Sequence, residues 1–256
     1  MKYLLCFLLT ILVPMPALAQ ELHIATSAYC PLVCLPVVDG KEGIMHDVLR
    51  ESFKDSEYKL IFENIPYGRA IQETLDGKYA GVTFAGVANA PDFIFVRNMI
   101  LTNAVHFATL KTSQWKYDGV DSLKGIRFGI PTGFRTGNNE LDNYLDKHAK
   151  DSTRIMRASN DNPTAAQQEN IDRLLAGRID AMLVGSLAFS FISKEMGVAD
   201  TIQLDPTPVA LFHNHLAFSP KYPAANDLRK QTEKTIDAMQ HSGKLNKIMK
   251  RYGLNQ

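Results

Sequence analysis

Two arginines stand where a positive charge can receive an anion. Arg69 opens a helix predicted for residues 69–75, and Arg135 lies in the loop Thr-Gly-Phe-Arg-Thr-Gly at residues 132–137. A guanidinium pairs with a carboxylate or a phosphate through two parallel hydrogen bonds. Arginines in loops and first helical turns are also often merely exposed to solvent. The pattern therefore predicts two candidate anion contacts, each with a solvated surface residue as the alternative.

Four aromatic residues lie close to the ends of predicted strands and helices. Tyr29, Tyr67, Phe84 and Phe134 each have a flat apolar face, and the two tyrosines add a hydroxyl group. Such side chains form the walls of small-molecule sites when they converge. Taken singly, each is more often part of a hydrophobic core. We expect some of the four, but not all, to contact a ligand.

Motifs for catalysis and for metal binding are missing from the sequence. There is no Gly-x-Ser-x-Gly elbow, no His-Glu-x-x-His, no phosphate-binding loop and no dinucleotide fingerprint. His213 and His215 would share one face of a predicted strand, but the sequence nearby offers no third metal ligand. We therefore predict no catalytic residue, no metal and no cofactor, and binding is favoured over catalysis.

Two cysteines, Cys30 and Cys34, are close enough in sequence to interact, and Pro31 lies between them. In an oxidising compartment such a pair can form a disulfide. The alternatives are two small buried thiols or a metal site, and two sulfurs alone are too few to hold zinc. The spacing leaves the choice open.

The first nineteen residues have the pattern of an export signal. Lys2 precedes an apolar run at residues 3–13, and Ala17 and Ala19 give the small-x-small pattern of a cleavage point. The run is too short to span a bilayer comfortably. We therefore expect a secreted, soluble protein that begins at Gln20.

The composition argues against two classes of partner. Of 256 residues, 28 are basic and 27 are acidic, and the signal contains one of the basic residues. A chain with balanced charge has no field to attract nucleic acid or an anionic membrane. Removing nineteen residues from 256 leaves 237, which is enough for one large α/β unit or for two lobes.

Short strands alternate with helices along the first half of the mature chain. This order argues for a mainly parallel sheet covered by helices. Near the C-terminus another strand precedes a long helical region, at residues 224–248, that is interrupted at Ser242 and Gly243. The apolar spacing in the first half predicts a strand at residues 22–26, a helix at 43–53, a strand at 58–65, a helix at 69–75 and a strand at 81–84.

A repeat at a distance of one hundred residues divides the chain. Residues 75–82 end a helix at a glycine and start a strand, and residues 175–182 do the same. The strand at residues 22–26 likewise corresponds to residues 126–130, and each is followed by a proline-containing loop and a helix, which in the second copy is predicted at residues 139–147. Two correspondences in the same order indicate two similar α/β lobes.

The order and the amino-acid sequences of these segments resemble those of the family 3 extracellular solute-binding proteins. The likeness covers nearly the whole mature chain, and it departs from the family's amino-acid-binding members at positions described below. Its motifs are the strand and loop at residues 25–31, Gly-Ile-Met-His-Asp-Val-Leu at 43–49, the segment from Pro-Tyr-Gly-Arg to Tyr-Ala-Gly at 66–81, Ser-Leu-Lys-Gly-Ile-Arg-Phe-Gly-Ile-Pro-Thr-Gly at 122–133, and Leu-Ala-Gly-Arg-Ile-Asp-Ala at 175–181.

The resemblance implies an α/β, two-lobed periplasmic binding protein-like fold of type II. Each lobe would be a mainly parallel sheet flanked by helices, with two hinge crossings near residues 103–107 and 208–213. A ligand would be trapped between the lobes, beyond the carboxyl ends of the strands, where helix N-termini offer free N–H groups. The expected domains are the signal peptide at residues 1–19, lobe 1 at residues 20–105 and 212–256, and lobe 2 at residues 106–211.

The sequence departs from the family's amino-acid binders at three contact positions. Their Thr-Pro-Glu-Arg-like motif, whose Arg holds the ligand carboxylate, matches Ala-Pro-Asp-Phe here, with Phe93 at the Arg position. The hydroxyl residue upstream matches Ala88, and the acidic residue that receives the ligand ammonium matches Gly185 or Ser186. An α-amino acid held in the family's usual way is therefore not expected, and an anionic or partly apolar ligand suits the cleft better.

The resemblance implies that the protein captures a small polar or anionic solute and delivers it to an inner-membrane ABC importer. The protein is expected to be a periplasmic monomer with no nucleic-acid partner. Two alternatives stay open. One is a soluble sensing partner of a membrane receptor, and the other is an enzyme on the same scaffold, such as a cyclohexadienyl dehydratase-like lyase. The ligand-binding residues expected in the cleft are Tyr29, Tyr67, Arg69, Phe84, Gly86, Thr132, Phe134, Arg135, Thr136 and Ser186.

Overall fold

The computed structural model describes residues 19–35, 40–87, 90–99, 101–158 and 162–254. Within these ranges the chain alternates strands with helices, and no helix is long and apolar enough to cross a membrane. The strands are β1 (Gln20–Thr26), β2 (Tyr58–Asn64), β3 (Gly81–Ala85), β4 (Ile94–Phe95), β5 (Leu101–Leu110), β6 (Phe128–Pro131), β7 (Ile155–Ala158), β8 (Ala181–Gly185), β9 (Ile202–Leu204) and β10 (Ala210–Phe218). The helices are α1 (Ile44–Phe53), α2 (Tyr67–Leu75), α3 (Asn139–Lys147), α4 (Pro163–Leu175), α5 (Ser186–Glu195), α6 (Ala225–His241) and α7 (Lys244–Arg251).

The predicted helices agree with the observed ones to within a few residues. The helix predicted at residues 139–147 is α3, with the same bounds. The helix predicted at residues 69–75 is α2, which begins two residues earlier because it starts directly after Pro66, whose fixed φ suits a helix start. The C-terminal helical region is α6 and α7, separated as predicted at Gly243, whose left-handed conformation (φ 69°) a glycine adopts without strain.

The two copies of the repeat form two sheets with the same strand order. In lobe 1 the order is β2-β1-β3, and in lobe 2 it is β7-β6-β8; all four pairings are parallel. The succession β1-α1-β2-α2-β3 corresponds element by element to β6-α3-β7-α4-β8. The prediction of two similar α/β lobes is confirmed.

One strand, β10, passes from one sheet to the other. Its residues 210–214 pair antiparallel with β5, and its residues 215–218 pair antiparallel with β3. β5 in turn pairs with β8 and β9 of lobe 2. The segments predicted as hinges lie in β5 and around the start of β10, while the exact residue limits of the two lobes stay a prediction.

The loop after β1 is closed by a disulfide between Cys30 and Cys34, whose Cα atoms are 4.4 Å apart. Of the alternatives left open by the sequence, the disulfide is therefore the one observed. The backbone of this loop packs on Gly43, which precedes α1 and has a φ of 116°. A Cβ added there would lie 2.5 Å from the carbonyl oxygen of Leu32, and the Gly43 N–H donates to the Tyr252 hydroxyl at 2.8 Å. The loop, α1 and the C-terminal segment are thus packed around a position that only glycine fits.

Gly43→Ala should destabilise the protein by roughly 3 kcal/mol, because left-handed backbone strain and a clash with fixed backbone atoms add. Gly119→Ala is the matched control. Gly119 also precedes a helical turn with positive φ (74°), but nothing lies within 4 Å of an added Cβ. The control should lose only about 1 kcal/mol. Urea denaturation measures both, and equal losses would contradict the packing argument.

Candidate functional site

A cavity of about 570 Å³ lies between the two lobes. Lobe 1 contributes the loop after β1, the start of α2 and β3, while lobe 2 contributes the loop between β6 and α3 and the start of α4. Parallel sheets bind ligands at this place, beyond the carboxyl ends of their strands. The described residues that line the cavity are Ser27, Ala28, Tyr29, Tyr67, Phe84, Asn103, Val105, Pro131, Thr132, Gly133, Phe134, Arg135, Gly137, Asp142, Pro163, Gln167, Phe212 and Asn214.

Aromatic side chains line the cavity from both sides. In lobe 1, Tyr67 stacks on Phe84 with ring centroids 5.5 Å apart and 12° between the planes, and Tyr29 lies 6.3 Å from Phe84. Phe134 comes from the β6–α3 loop and Phe212 from β10. The structure therefore brings all four predicted aromatic residues to one cavity, with a fifth that was not predicted. Flat apolar walls of this kind suit a ligand with a planar body.

Asn103 and Tyr29 hold each other in place beside the start of α5. Asn103 Nδ2 donates to the Tyr29 hydroxyl oxygen at 3.3 Å, and Asn103 Oδ1 accepts from the Leu187 backbone N–H at 3.2 Å. Burial raises the pKa of Tyr29, and the hydrogen bond from Asn103 partly offsets that effect. The phenol is therefore uncharged at neutral pH, so this part of the cavity is polar without being charged.

The two charged residues among those that line the cavity both have partners. Arg135 forms an ion pair with Asp146 at 2.9 Å, and its side chain is 57% exposed. The Asp142 carboxylate accepts hydrogen bonds from the backbone N–H groups of Thr136 and Gly137 and from the Thr136 hydroxyl. A ligand that used either charge would compete with an existing interaction.

Four predicted ligand-binding residues lie outside the cavity lining in the described part of the chain. Arg69 faces solvent with 60% of its side chain exposed, and its Nε lies 4.0 Å from the carboxylate of Glu73. Thr136 is buried and bonded to Asp142, as described above.

The other two predicted residues outside the cavity lining are Ser186 and Gly86, which directly follow strands β8 and β3. The Ser186 hydroxyl oxygen, at the start of α5, accepts a hydrogen bond from the Ala104 N–H at 3.1 Å. The Gly86 carbonyl, just after β3, accepts from the Ala90 N–H at 3.2 Å. The remaining predicted residues, including Thr132, do line the cavity. A ligand contact stays a prediction for all ten.

Several residues of the cavity were not predicted from the sequence. Asn103 and Asn214 lie in the crossing strands β5 and β10, and Gln167 lies in α4. Asn103 falls within the predicted hinge segment, which was the one available signal. Gln167 had none, because a glutamine within a helix has no distinguishing pattern.

The histidine pair is engaged in local hydrogen bonds. His213 Nδ1 lies 3.1 Å from the Thr102 hydroxyl oxygen, and His215 Nδ1 lies 3.2 Å from the Val96 carbonyl oxygen. In the portion of the chain that the structure describes, no three His, Cys, Asp or Glu side chains converge as metal ligands. Both histidine side chains therefore form contacts within the protein around the crossing strand β10.

A second depression, of about 390 Å³, lies at the amino ends of the lobe 2 strands. Three arginines and Asp180 line it, and the Arg127 guanidinium donates to the carbonyl groups of Thr153 and Arg178. Lobe 2 alone forms this depression, on the side away from the cleft. The inter-lobe cavity, formed by both lobes, is therefore the candidate site.

No protein-family model matches the chain, and no curated protein matches it in sequence. Solved structures match it closely in fold. A mutant of ArgBP from T. maritima has a TM-score of 0.66 at 15% identity, covering 91% of this chain and 94% of that one. A structure from work on glutathione import through GshT and the cystine ABC importer TcyBC of Streptococcus mutans has a TM-score of 0.66 at 16% identity, covering 91% and 94%. A histidine kinase sensor domain with similarity to periplasmic binding proteins has a TM-score of 0.65 at 12% identity, covering 93% and 97%.

The chain has the two-lobed periplasmic binding protein fold. The resemblance to the family 3 solute-binding proteins is thereby confirmed at the level of fold, which is the level that identities of 12% to 16% support. In this periplasmic binding protein fold, the cavity between the lobes is bounded by both halves of the repeat and by the strands that cross between them.

Gly185 is one of the two residues predicted to match the acidic position of the family's amino-acid binders, the other being Ser186, and the structure leaves no room for a side chain at Gly185. A Cβ added there would clash with the Asn103 amide and lie 2.5 Å from the Tyr29 hydroxyl oxygen. The space that an acidic side chain would need is therefore filled by Asn103 and Tyr29. Phe93, predicted from the sequence to match the family's Arg, is 5% exposed within the lobe 1 core. The third departing position, Ala88, lies outside the described residues.

Gly185→Ala should cost about 1 to 3 kcal/mol of stability, because the new methyl group displaces the Asn103 amide. Combining it with Asn103→Ala should cost less than the sum of the two single changes, because the second substitution makes room for the first. Gly68→Ala is the control, since nothing lies within 4 Å of an added Cβ and the residue is in α2. It should be neutral or stabilising. Urea denaturation of all four variants measures the change in the free energy of unfolding. Strictly additive losses of that free energy would contradict this packing.

Proposed function

We propose that this protein is a secreted solute-binding protein that encloses a small molecule between its lobes and presents it to a partner in the inner membrane. The observation that carries the proposal is the cavity of about 570 Å³ lined by both lobes and by both crossing strands. A ligand that contacts both lobes stabilises the closed arrangement relative to an open one. The expected mechanism is therefore closure around the solute.

Direct bonds between the lobes beside the cavity support closure as the mechanism. The Cys30 N–H of the disulfide loop donates to the Thr164 hydroxyl of α4 at 3.1 Å, and Asn162 Nδ2 donates to the Leu35 carbonyl at 2.6 Å. Further out, Lys41 pairs with Glu195 at 3.3 Å. These contacts would have to break on opening, so ligand contacts and inter-lobe bonds would act together to hold the closed form.

The residues around the cavity favour binding over catalysis. General-base chemistry needs a titratable group near the ligand that can take up a proton. Among the described lining residues, Asp142 is the one carboxylate, and its oxygens already accept three hydrogen bonds. A lyase on this scaffold is therefore the less supported alternative.

Two partners are compatible with the fold. Delivery to an ABC importer is supported by the likeness to a structure described with a cystine ABC importer, and sensing is supported by the likeness to a histidine kinase sensor domain. We place delivery first and treat sensing as the alternative. Capture from host membranes with and without ligand distinguishes the two. Recovery of a permease supports delivery, and recovery of a kinase or cyclase in its place supports sensing.

A fitting ligand should raise the melting temperature and reduce the radius of gyration. Thermal shift over amino acids, organic acids, amides and small peptides identifies such a ligand, and small-angle scattering measures closure. Phe134→Ala should weaken its binding by roughly tenfold or more, because an aromatic wall is lost. Phe189→Ala is the control, since Phe189 is half-buried on α5 and is not among the lining residues. If no compound of any class changes either quantity, solute binding is the wrong function.

A further inference from the structure

Two hydrogen-bonding groups at the cavity are left unused by the protein. The Gln167 side chain is fully buried, and its Oε1 has no partner in the part of the chain that the structure describes. The Tyr29 hydroxyl accepts from Asn103, but among the described residues no acceptor receives its own hydrogen. Buried polar groups normally have partners, because an unmet one is costly. A bound ligand would supply both missing partners, a donor for Gln167 Oε1 and an acceptor for the Tyr29 hydroxyl.

The orientation of the Gln167 amide decides which kind of group it can receive. Its Nε2 donates to the Leu183 backbone carbonyl at 3.3 Å. Turning the amide over would place Oε1 against that carbonyl, so two acceptors would face each other. The free atom is therefore an acceptor, and it requires an N–H or O–H group from a ligand. The free group of Tyr29 is the opposite kind, a donor that requires an acceptor.

The charges at the cavity argue against an ionised ligand. Arg135 is paired with Asp146, and Asp142 already accepts hydrogen bonds from three donors of its own chain. Tyr29 is uncharged at neutral pH, because burial raises the pKa of its hydroxyl. An ionised solute would lose its hydration without finding an uncompensated counter-charge among the described lining residues. A neutral solute would lose much less.

The walls of the cavity argue for a planar body. Tyr67 and Phe84 form a near-parallel stack on the lobe 1 side, and Phe134 lines the cavity from lobe 2. Flat rings gain offset-stacked or edge-to-face contacts against such walls in addition to burial of apolar area. The volume is that of a site for a small organic molecule.

We infer that the cavity takes an uncharged, ring-containing solute with amide- or lactam-type polarity, which donates a hydrogen bond to Gln167 Oε1 and accepts one from the Tyr29 hydroxyl. This inference rests on the proposed function and narrows its substrate class. It narrows the sequence-based expectation of a polar or anionic solute to an uncharged one, because Arg69 lies outside the cavity lining and Arg135 is paired with Asp146.

Matched probes that differ in charge test the inference directly. Nicotinamide and benzamide are compared with nicotinate and benzoate, and uracil and thymine are included as lactams. Calorimetry at pH 7 should give affinities at least tenfold higher for the amides than for the matching acids, with the lactams also binding. Tighter binding of the acids, or of L-arginine or L-glutamate tested alongside, overturns the inference and leaves solute binding intact. If none of these probes binds and the wider panel also fails, the proposed function falls with it.

The role of Gln167 is tested with a matched pair of substitutions on one helix. Gln167→Leu removes the free acceptor, and Gln168→Leu makes the same change at the neighbouring exposed position of α4. For the best-binding probe, Gln167→Leu should lower the affinity about 10- to 100-fold, and Gln168→Leu should leave it within twofold. The affinity of a ring probe without an N–H donor should respond to neither change.

A purely structural role for Gln167 makes a different prediction. Asn170, three residues later on the same helix, has an Nδ2 donor without a partner in the described chain. If the Gln167 and Asn170 amides form a hydrogen bond with each other, Gln167→Leu will lower the melting temperature of the ligand-free protein. It will leave the affinity for the probe unchanged. That result overturns the assignment of Gln167 as a ligand contact. Lost affinity with an unchanged or higher melting temperature supports it.

Discussion

β10 leaves the lobe 2 sheet at Asn214 and enters the lobe 1 sheet at His215, pairing with β5 before that point and with β3 after it. Main-chain hydrogen bonds on both sides fix how the carboxyl ends of the two parallel sheets face each other. Residues as distant in sequence as Tyr67 and Phe134 line one cavity because of this arrangement. In the proposed mechanism of closure, rotation about these crossing strands would open the cavity without disrupting the sheet of either lobe.

Close packing beside these strands restricts the shape of the cavity. Gly185 ends β8 with no side chain, and the Asn103 amide and the Tyr29 hydroxyl fill the space next to it. Asn103 belongs to β5 and also accepts from the Leu187 N–H at the start of α5. The Asn103 amide therefore bonds at once to Tyr29 of lobe 1 and to the start of α5 in lobe 2.

The elements and their order were predictable because apolar spacing, glycine caps and the repeat are local signals that survive in the fold. The aromatic residues were predictable for a related reason, since loops at the carboxyl ends of parallel strands converge. Asn103 and Gln167 were missed because a polar residue inside a strand or helix usually faces solvent. The pairing of Arg69 with Glu73 has a helical spacing that the sequence displays, whereas that of Arg135 with Asp146 depends on how α3 folds back against its preceding loop.

A neutral cavity can still be selective, because hydrogen-bonding groups discriminate more sharply than apolar contacts. A site built to bond a particular N–H or O–H rejects an analogue that lacks it, since the buried partner is left unmet. A carboxylate has no hydrogen to give to Gln167 Oε1 and would bring negative charge against that oxygen. An amide of the same shape offers a donor to Gln167 and an acceptor to Tyr29. The near balance of acidic and basic residues provides little electrostatic steering of charged solutes, so selection would rest on fit and hydrogen bonding after encounter.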